Sequence, residues 1–354
     1  MKISDLSRYA LGICAAVAIP TGCGSQTPIG ASGAMPQMQA NRQIVAPATN
    51  PNLYVANGGN NTVTVYSKGG PKLLRTISQG LYGPAVLAFG SAGYLYVANG
   101  LSNTVTEYAP GKTKLLRTIS KGVSGPDAFA FDGFGNLYVA NFSANTVTVY
   151  VQGSTKVLRT ISKGIFGPSA LAFDNSGSLC VANYGHNGSG RTVTIYDAYG
   201  SGLLQTVSNG VFGPAALTFD GSGNLYVANY GANGSGQSVT VYAPGTFRLL
   251  HSIVQGIAGP RALAFDKSGN LYVANYGYNG TKTVTVYAPG KTSVLRTIWA
   301  DVDGPVALAV GSSGYLHVAN ILNNTVTVYF PGKTSVKYVI KNGVNTPYAL
   351  AFGP

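Results

Sequence analysis

From residue 53 to its end, the chain is a succession of runs of about five residues with two kinds of hydrophobic pattern. Runs such as Thr62–Tyr66 (TVTVY) alternate polar and apolar side chains with period two, the mark of a strand. Others, such as Ala85–Phe89 (AVLAF), are apolar throughout, as in a strand buried on both faces. Leu95–Asn99, Thr104–Tyr108 and Leu115–Ile119 complete a set of four, and Gly, Pro, Asn and Ser stand between them. Val, Thr, Tyr and Leu runs bounded by turn formers predict β-strands. No stretch has a helical period, so the chain is predicted all-β.

The set repeats. Leu-Tyr-Val-Ala-Asn starts at Leu53, Leu95, Leu137, Leu225 and Leu271, and recurs with one change at Leu179 and Leu316. The spacings are 42, 42, 42, 46, 46 and 45 residues. A second element, near Gly-Pro-x-Ala-Leu-Ala-Phe, starts at Gly83, Gly125, Gly167, Gly213, Gly259 and Gly304, and closes the chain from Thr346. Four strands per repeat of this length predict a propeller blade. The repeat region opens on the second strand of a unit, at Leu53, and ends on a first strand, at Tyr348–Phe352. The last strand therefore completes the first blade, and a seven-bladed β-propeller of four-stranded blades closes without an open end.

LYVANGGNNTVTVY and its copies resemble the YVTN-type propeller repeat of prokaryotic surface and periplasmic proteins. The Gly-Pro-x-Ala-Leu-Ala-Phe-Asp-x-x-Gly-Asn-Leu-Tyr segments are similar to NHL-type repeats. The resemblance covers residues 53–353 and implies a propeller; such propellers include binding scaffolds and a few enzymes, so it leaves activity open.

Residues 1–22 read as a signal peptide, with Lys2 and Arg8 ahead of the apolar Tyr9–Ile19. Gly22-Cys23 after that stretch resembles the lipobox of bacterial lipoproteins, with Pro20 where an aliphatic residue is usual. The resemblance implies lipidation at Cys23. Residues 23–51 are rich in Gly, Pro, Ser, Gln and Ala, the composition of a flexible tether. The domain reading is thus 1–22 signal, 23–51 tether and 52–354 propeller. Its expected location is periplasmic or cell-surface, with Cys23 anchoring it to a membrane.

Composition narrows the chemistry. Only 9% of the 354 residues are charged, and the chain has one Glu (Glu107), three His and three Cys. That leaves little for acid–base or metal catalysis and excludes a disulfide scaffold. The net charge of +13 comes largely from Arg75, Arg117, Arg159 and Arg296 on fourth strands and from lysines near the 3–4 loops. Basic side chains on rim strands suppress edge pairing. The field also favours weak attraction to an anionic envelope, and no nucleic-acid motif accompanies it. Asp132, Asp174, Asp220 and Asp266 fall in 1–2 turns, one carboxylate per loop, and read as turn formers rather than calcium ligands.

In a propeller the first strand lines the channel, and the 2–3 and 4–1 loops share the top face. Three consecutive 2–3 loops are lengthened, at Tyr184–Arg191, Tyr230–Gln237 and Tyr276–Lys282. With Phe166 and Phe212 from neighbouring 4–1 loops, they place Tyr184, His186, Arg191, Tyr230, Tyr276 and Tyr278 on one sector. Tyr with Asn, Gly and Ser suits an adaptable binding surface for a protein or glycan. The residue after Gly-Pro or Thr-Pro enters the channel mouth, where Asp127, Ser169, Arg261 and Tyr348 break a uniform repeat. No catalytic, metal or cofactor set emerges: His186, His251 and His317 lie in different blades, and zinc needs three or four convergent ligands. The expectation is a monomeric, non-enzymatic binding scaffold with no cofactor. The alternative is a propeller lyase or lactonase acting at the channel mouth near Asp127 and Arg261.

Overall fold

A computed structural model of the chain describes residues 51–200, 202–277 and 280–354. The signal segment, the tether up to residue 50, Cys23 and Tyr278 lie outside the described residues. Among the described residues run twenty-eight strands, from β1 (Asn52–Asn57) to β28 (Pro347–Gly353), in seven antiparallel sheets of four. The second blade shows how closely the pattern maps: its strands are Pro84–Phe89, Leu95–Asn99, Thr104–Tyr108 and Leu115–Ile119. The first begins one residue before the apolar run because Pro84 still faces Asn99 across a bulge. Proline is tolerated there, since a strand's first residue and a bulge both spare the ladder a donor.

The ring closes through β28, which pairs with β1 from Asn52↔Gly353 to Asn57↔Pro347, and Tyr54 donates its hydroxyl to the carbonyl of Pro354 at 2.6 Å. The first strands pack side by side around the axis. The second and third strands carry the core: Val97, Ala98, Val105 and Tyr108 and their counterparts are almost fully buried between blades. Outer strands expose every second residue, as Leu74, Leu116 and Leu158 show.

Three polar devices, repeated around the ring, explain why particular polar residues recur in every unit. The Asn that ends each second strand is buried; Asn141 donates to the Thr148 hydroxyl at 2.9 Å and accepts the Ser124 backbone N–H at 3.0 Å. The third-strand Tyr donates to a carbonyl of the preceding 4–1 loop, as Tyr150 does to Lys121 at 2.7 Å. Burial pushes the Tyr150 phenol up to about 12. Finally, where the 2–3 loop is short, an Asn in the left-handed region latches the next blade. Asn61, Asn103, Asn145 and Asn324 have φ of 54–57° and accept the N–H of Gly83, Gly125, Gly167 and Thr346 at 2.6–2.7 Å.

The latch gives a test. Asn103→Ala removes the hydrogen bond and places an alanine at positive φ, so a loss of about 2 kcal/mol is expected. Asn103→Gly keeps the backbone conformation and should lose about half as much. Denaturant unfolding of both variants measures this; equal losses would show that the left-handed backbone contributes nothing.

Candidate functional site

The lengthened 2–3 loops in the fourth and fifth blades each contain one turn of 3₁₀ helix, His186–Gly188 and Ala232–Gly234. They replace the Asn latch by a backbone one: the N–H of Gly213 donates to Gly190 O at 2.8 Å, and that of Gly259 to Gly236 O at 2.7 Å. Gly190 and Gly236 must be glycines, because a Cβ there would stand 1.9 and 1.8 Å from the carbonyl oxygens of Asn183 and Asn229. The first loop leans on the second, with Gly188 against Gly231 and Ala232, and Tyr184 donating to Gly231 O at 3.3 Å. The loops thus form one interlocked ridge.

Beneath it, the residue that follows the buried Asn carries an aromatic ring in four consecutive blades. Phe142, Tyr184, Tyr230 and Tyr276 form a staircase with successive ring centroids 6.5, 6.3 and 6.4 Å apart. The Arg261 guanidinium lies 5.2 Å from the Tyr230 centroid and 4.9 Å from that of Tyr276, a cation–π clamp. In the first blade the corresponding residue is Gly58, and Tyr348 occupies the space: a Cβ on Gly58 would come within 2.3 Å of its ring. Asp127 and Ser169 complete the layer, with the Ser169 hydroxyl donating to Pro214 O at 2.7 Å.

The tyrosines of the top sector and the residues of the channel mouth are therefore one assembly. Tyr184, Tyr230, Tyr348, Asp127, Ser169 and Arg261 are all less than 9% exposed and together form a plug of the channel's upper end. Burial, then the neighbouring Tyr230, push the Tyr184 phenol up to about 12; Arg261 pulls it down and Asp127 raises it further. Burial likewise raises Tyr230 and Tyr348, opposed in each case by Arg261.

Facing solvent is a second layer. Phe166 is 42% exposed. The His186 ring packs edge-on between Phe142 and Phe166, at 5.7 and 5.2 Å. Arg191 lies 4.0 Å over the Phe212 ring. Phe166, His186, Arg191 and Phe212 form the outward layer of the sector, over the buried Tyr184 and Tyr230. Two contributors escaped the sequence reading. Phe142 is visible only when the residues after each repeat Asn are aligned as Gly, Gly, Phe, Tyr, Tyr, Tyr, Ile. Lys282, at the end of the third long loop, pairs with Asp303 at 2.7 Å, a half-exposed bridge of little stabilising weight.

The 1–2 turns have the geometry of Asx turns: Asp132 Oδ1 accepts the N–H groups of Phe134 and Asn136 at 2.9 and 2.8 Å. Among the described residues no three His, Cys, Asp or Glu side chains converge as metal ligands would. Cys180 is buried and free, its thiol pushed well up by burial.

No family model matches the chain, and no curated protein matches it. Solved structures do. A functionally unknown protein from Desulfotomaculum acetoxidans is 17% identical with a TM-score of 0.69, over 86% of this chain and 99% of that one. A candidate 6-phosphogluconolactonase from Bacteroides fragilis is 17% identical with a TM-score of 0.70, over 87% and 100%. At this identity the likeness is one of fold. The chain is a seven-bladed β-propeller.

Proposed function

We propose that this propeller is a non-enzymatic binding scaffold of the bacterial envelope, kin to the YVTN and NHL repeat proteins. It works as an exported monomer held to a membrane through lipidated Cys23, and its ligand is a protein or glycan, not nucleic acid. The observation that carries the binding reading is the interlocked ridge of the fourth and fifth blades. Loops ordered in advance lose little entropy on binding. Phe166, His186, Arg191 and Phe212 on that ridge offer aromatic faces, a ring nitrogen and a guanidinium to a ligand. A lactonase or lyase reading would need Asp127 and Arg261 open to substrate, and both are buried beneath the ridge.

The test compares the full chain with a Phe166→Ser/His186→Ser/Arg191→Ser variant, all three exposed positions, in capture from envelope extract at physiological salt. A defined protein or glycan held by the natural chain and at least tenfold less by the variant, with unchanged melting, supports the reading. Equal capture by both, released by salt, would reduce the interaction to generic basic charge and remove this surface from the account.

A further inference from the structure

Three neighbouring blades depart from the repeat together on the bottom face. The third to sixth blades have Asp132, Asp174, Asp220 and Asp266 in the 1–2 turn. The second and seventh have Gly90 and Gly311 there, and the first has Gly353. The turn's last residue changes as well. Asn136, Asn224 and Asn270 each donate to their turn carboxylate at 2.8 Å, and the second and seventh blades have Tyr94 and Tyr315 instead. An acidic, hydrogen-bonded turn is thus exchanged for an uncharged one that carries an aromatic ring.

The 3–4 loops of the same three blades supply the charge. Lys333 of the seventh, Lys68 and Lys72 of the first, and Lys112 and Lys114 of the second are all exposed. Neither these loops nor the 1–2 turns of the three blades contain an Asp or Glu to neutralise them. The surface is continuous. Pro51, Lys68, Ser312 and Ser313 line one cleft of about 230 Å³ between the first and seventh blades. On the other side, a Cβ on Gly93 of the second blade would stand 3.2 Å from Pro354 of the first, whose carbonyl oxygen accepts from Tyr54. Phe330, 41% exposed, leads into the loop of Lys333. Its ring lies 6.2 Å from that of Tyr315, over which Lys337 Nζ sits at 3.7 Å.

We infer that this arc docks on the surface of an anionic lipid bilayer, with its lysines among the headgroup phosphates and Phe330 at the interface. Each lysine near an anionic leaflet is attracted, and here no carboxylate opposes the pull. Aromatic side chains favour the headgroup level, which gives the basic surface a second hold. The point of chain entry agrees, since residues 1–50 join the propeller at Pro51, inside the arc. A soluble polyanion would answer the lysines but leaves the exposed ring and the entry point unexplained. Docking through the bottom turns the opposite face, with its ridge, away from the membrane. The inference concerns the folded head alone and needs neither a lipid on Cys23 nor a ligand on the ridge.

Co-sedimentation of the full chain carrying Cys23→Ser, at physiological salt, tests it. The vesicles are phosphatidylcholine alone, or with phosphatidylglycerol as about a third of the lipid. The quantity read is the ratio of the two partition constants, which cancels the uncharged contribution of the apolar residues 9–19. One variant, Lys68→Ser/Lys112→Ser/Lys333→Ser, discharges the arc. A second, Lys121→Ser/Lys163→Ser/Lys341→Ser, removes the same charge from exposed positions in 4–1 loops on the opposite face. Thermal melts check that both fold. The expected ratio favours anionic vesicles by about tenfold or more for the intact arc and the second variant, and falls at least about fivefold in the first. A ratio near one with the arc intact, an equal fall in both variants, or no fall in the first overturns the assignment.

Discussion

Deleting residues 347–354 is expected to leave a chain that does not fold as a soluble monomer. β28 is the first strand of the first blade, and without it β1 faces the channel with an unpaired edge. Tyr348 and Leu350 lose burial worth about 2–3 kcal/mol each, and Gly58 is left under an empty space in the plug. Adding the interstrand hydrogen bonds at about 1 kcal/mol each, the loss reaches the order of 10 kcal/mol, which is comparable to the whole stability of a typical domain. A free edge also invites intermolecular pairing. Size-exclusion chromatography and thermal melts of the truncated chain measure this. A circular permutant that carries residues 345–354 ahead of Pro51 should regain the native melting temperature. A truncated monomer melting within a few degrees of the full chain would show that ring closure contributes little.

The second large effect is acid lability at His317. Six blades have Tyr or Cys at this position; the seventh has His, 4% exposed, its Nδ1 3.2 Å from the Tyr315 carbonyl and its ring edge-on to Phe352 at 5.1 Å. Burial pushes its pKa from 6.5 down to about 4, carbonyl contacts at Tyr315 and Ala309 oppose the shift, and nearby Lys337 reinforces it. Above pH 6.5 the ring is neutral in both the folded and the unfolded chain, so it has no linkage effect. As pH falls from 6.5 toward 4 the unfolded chain takes up a proton that the folded chain refuses, and stability falls, by about 3 kcal/mol in all. Glu107, whose carboxyl is raised, works in the opposite direction but is common to both proteins compared. His317→Tyr should therefore flatten the acid limb of the melting profile between pH 7 and pH 4.5 relative to the natural chain. Parallel profiles would mean that His317 is protonated in place without penalty.

The architecture was legible because each repeat states it afresh. Period-two runs, turn residues and a constant spacing recur seven times, so an ambiguity in one unit, such as LCVAN at Leu179, is settled by the others. The offset between opening and closing strands even carried the ring closure now seen as Leu53↔Phe352. The candidate sites were legible as departures from the repeat, but not in their depth. Tyr184 and Tyr230 stand out in the sequence at the entrances of the long loops, yet a linear pattern does not say whether a ring there is exposed or buried, and both are buried. Here the channel top is open enough to admit the rings, and Arg261 from the next first strand draws them in. Phe142 stayed hidden for the same reason, since its ring meets Tyr184 of the next blade.

The sequence by itself determined strand type, blade number and closure, because these follow from local hydrophobic periodicity and from counting. Only the tertiary structure decided which departures from the repeat meet. Asp127, Arg261 and Tyr348 are far apart along the chain and share one buried layer, because seven first strands converge on a single axis and bring equivalent positions together. Burial is a property of that convergence. It turns tyrosines of an expected surface into a plug, and the chain's one glutamate into a buried partner of Arg117.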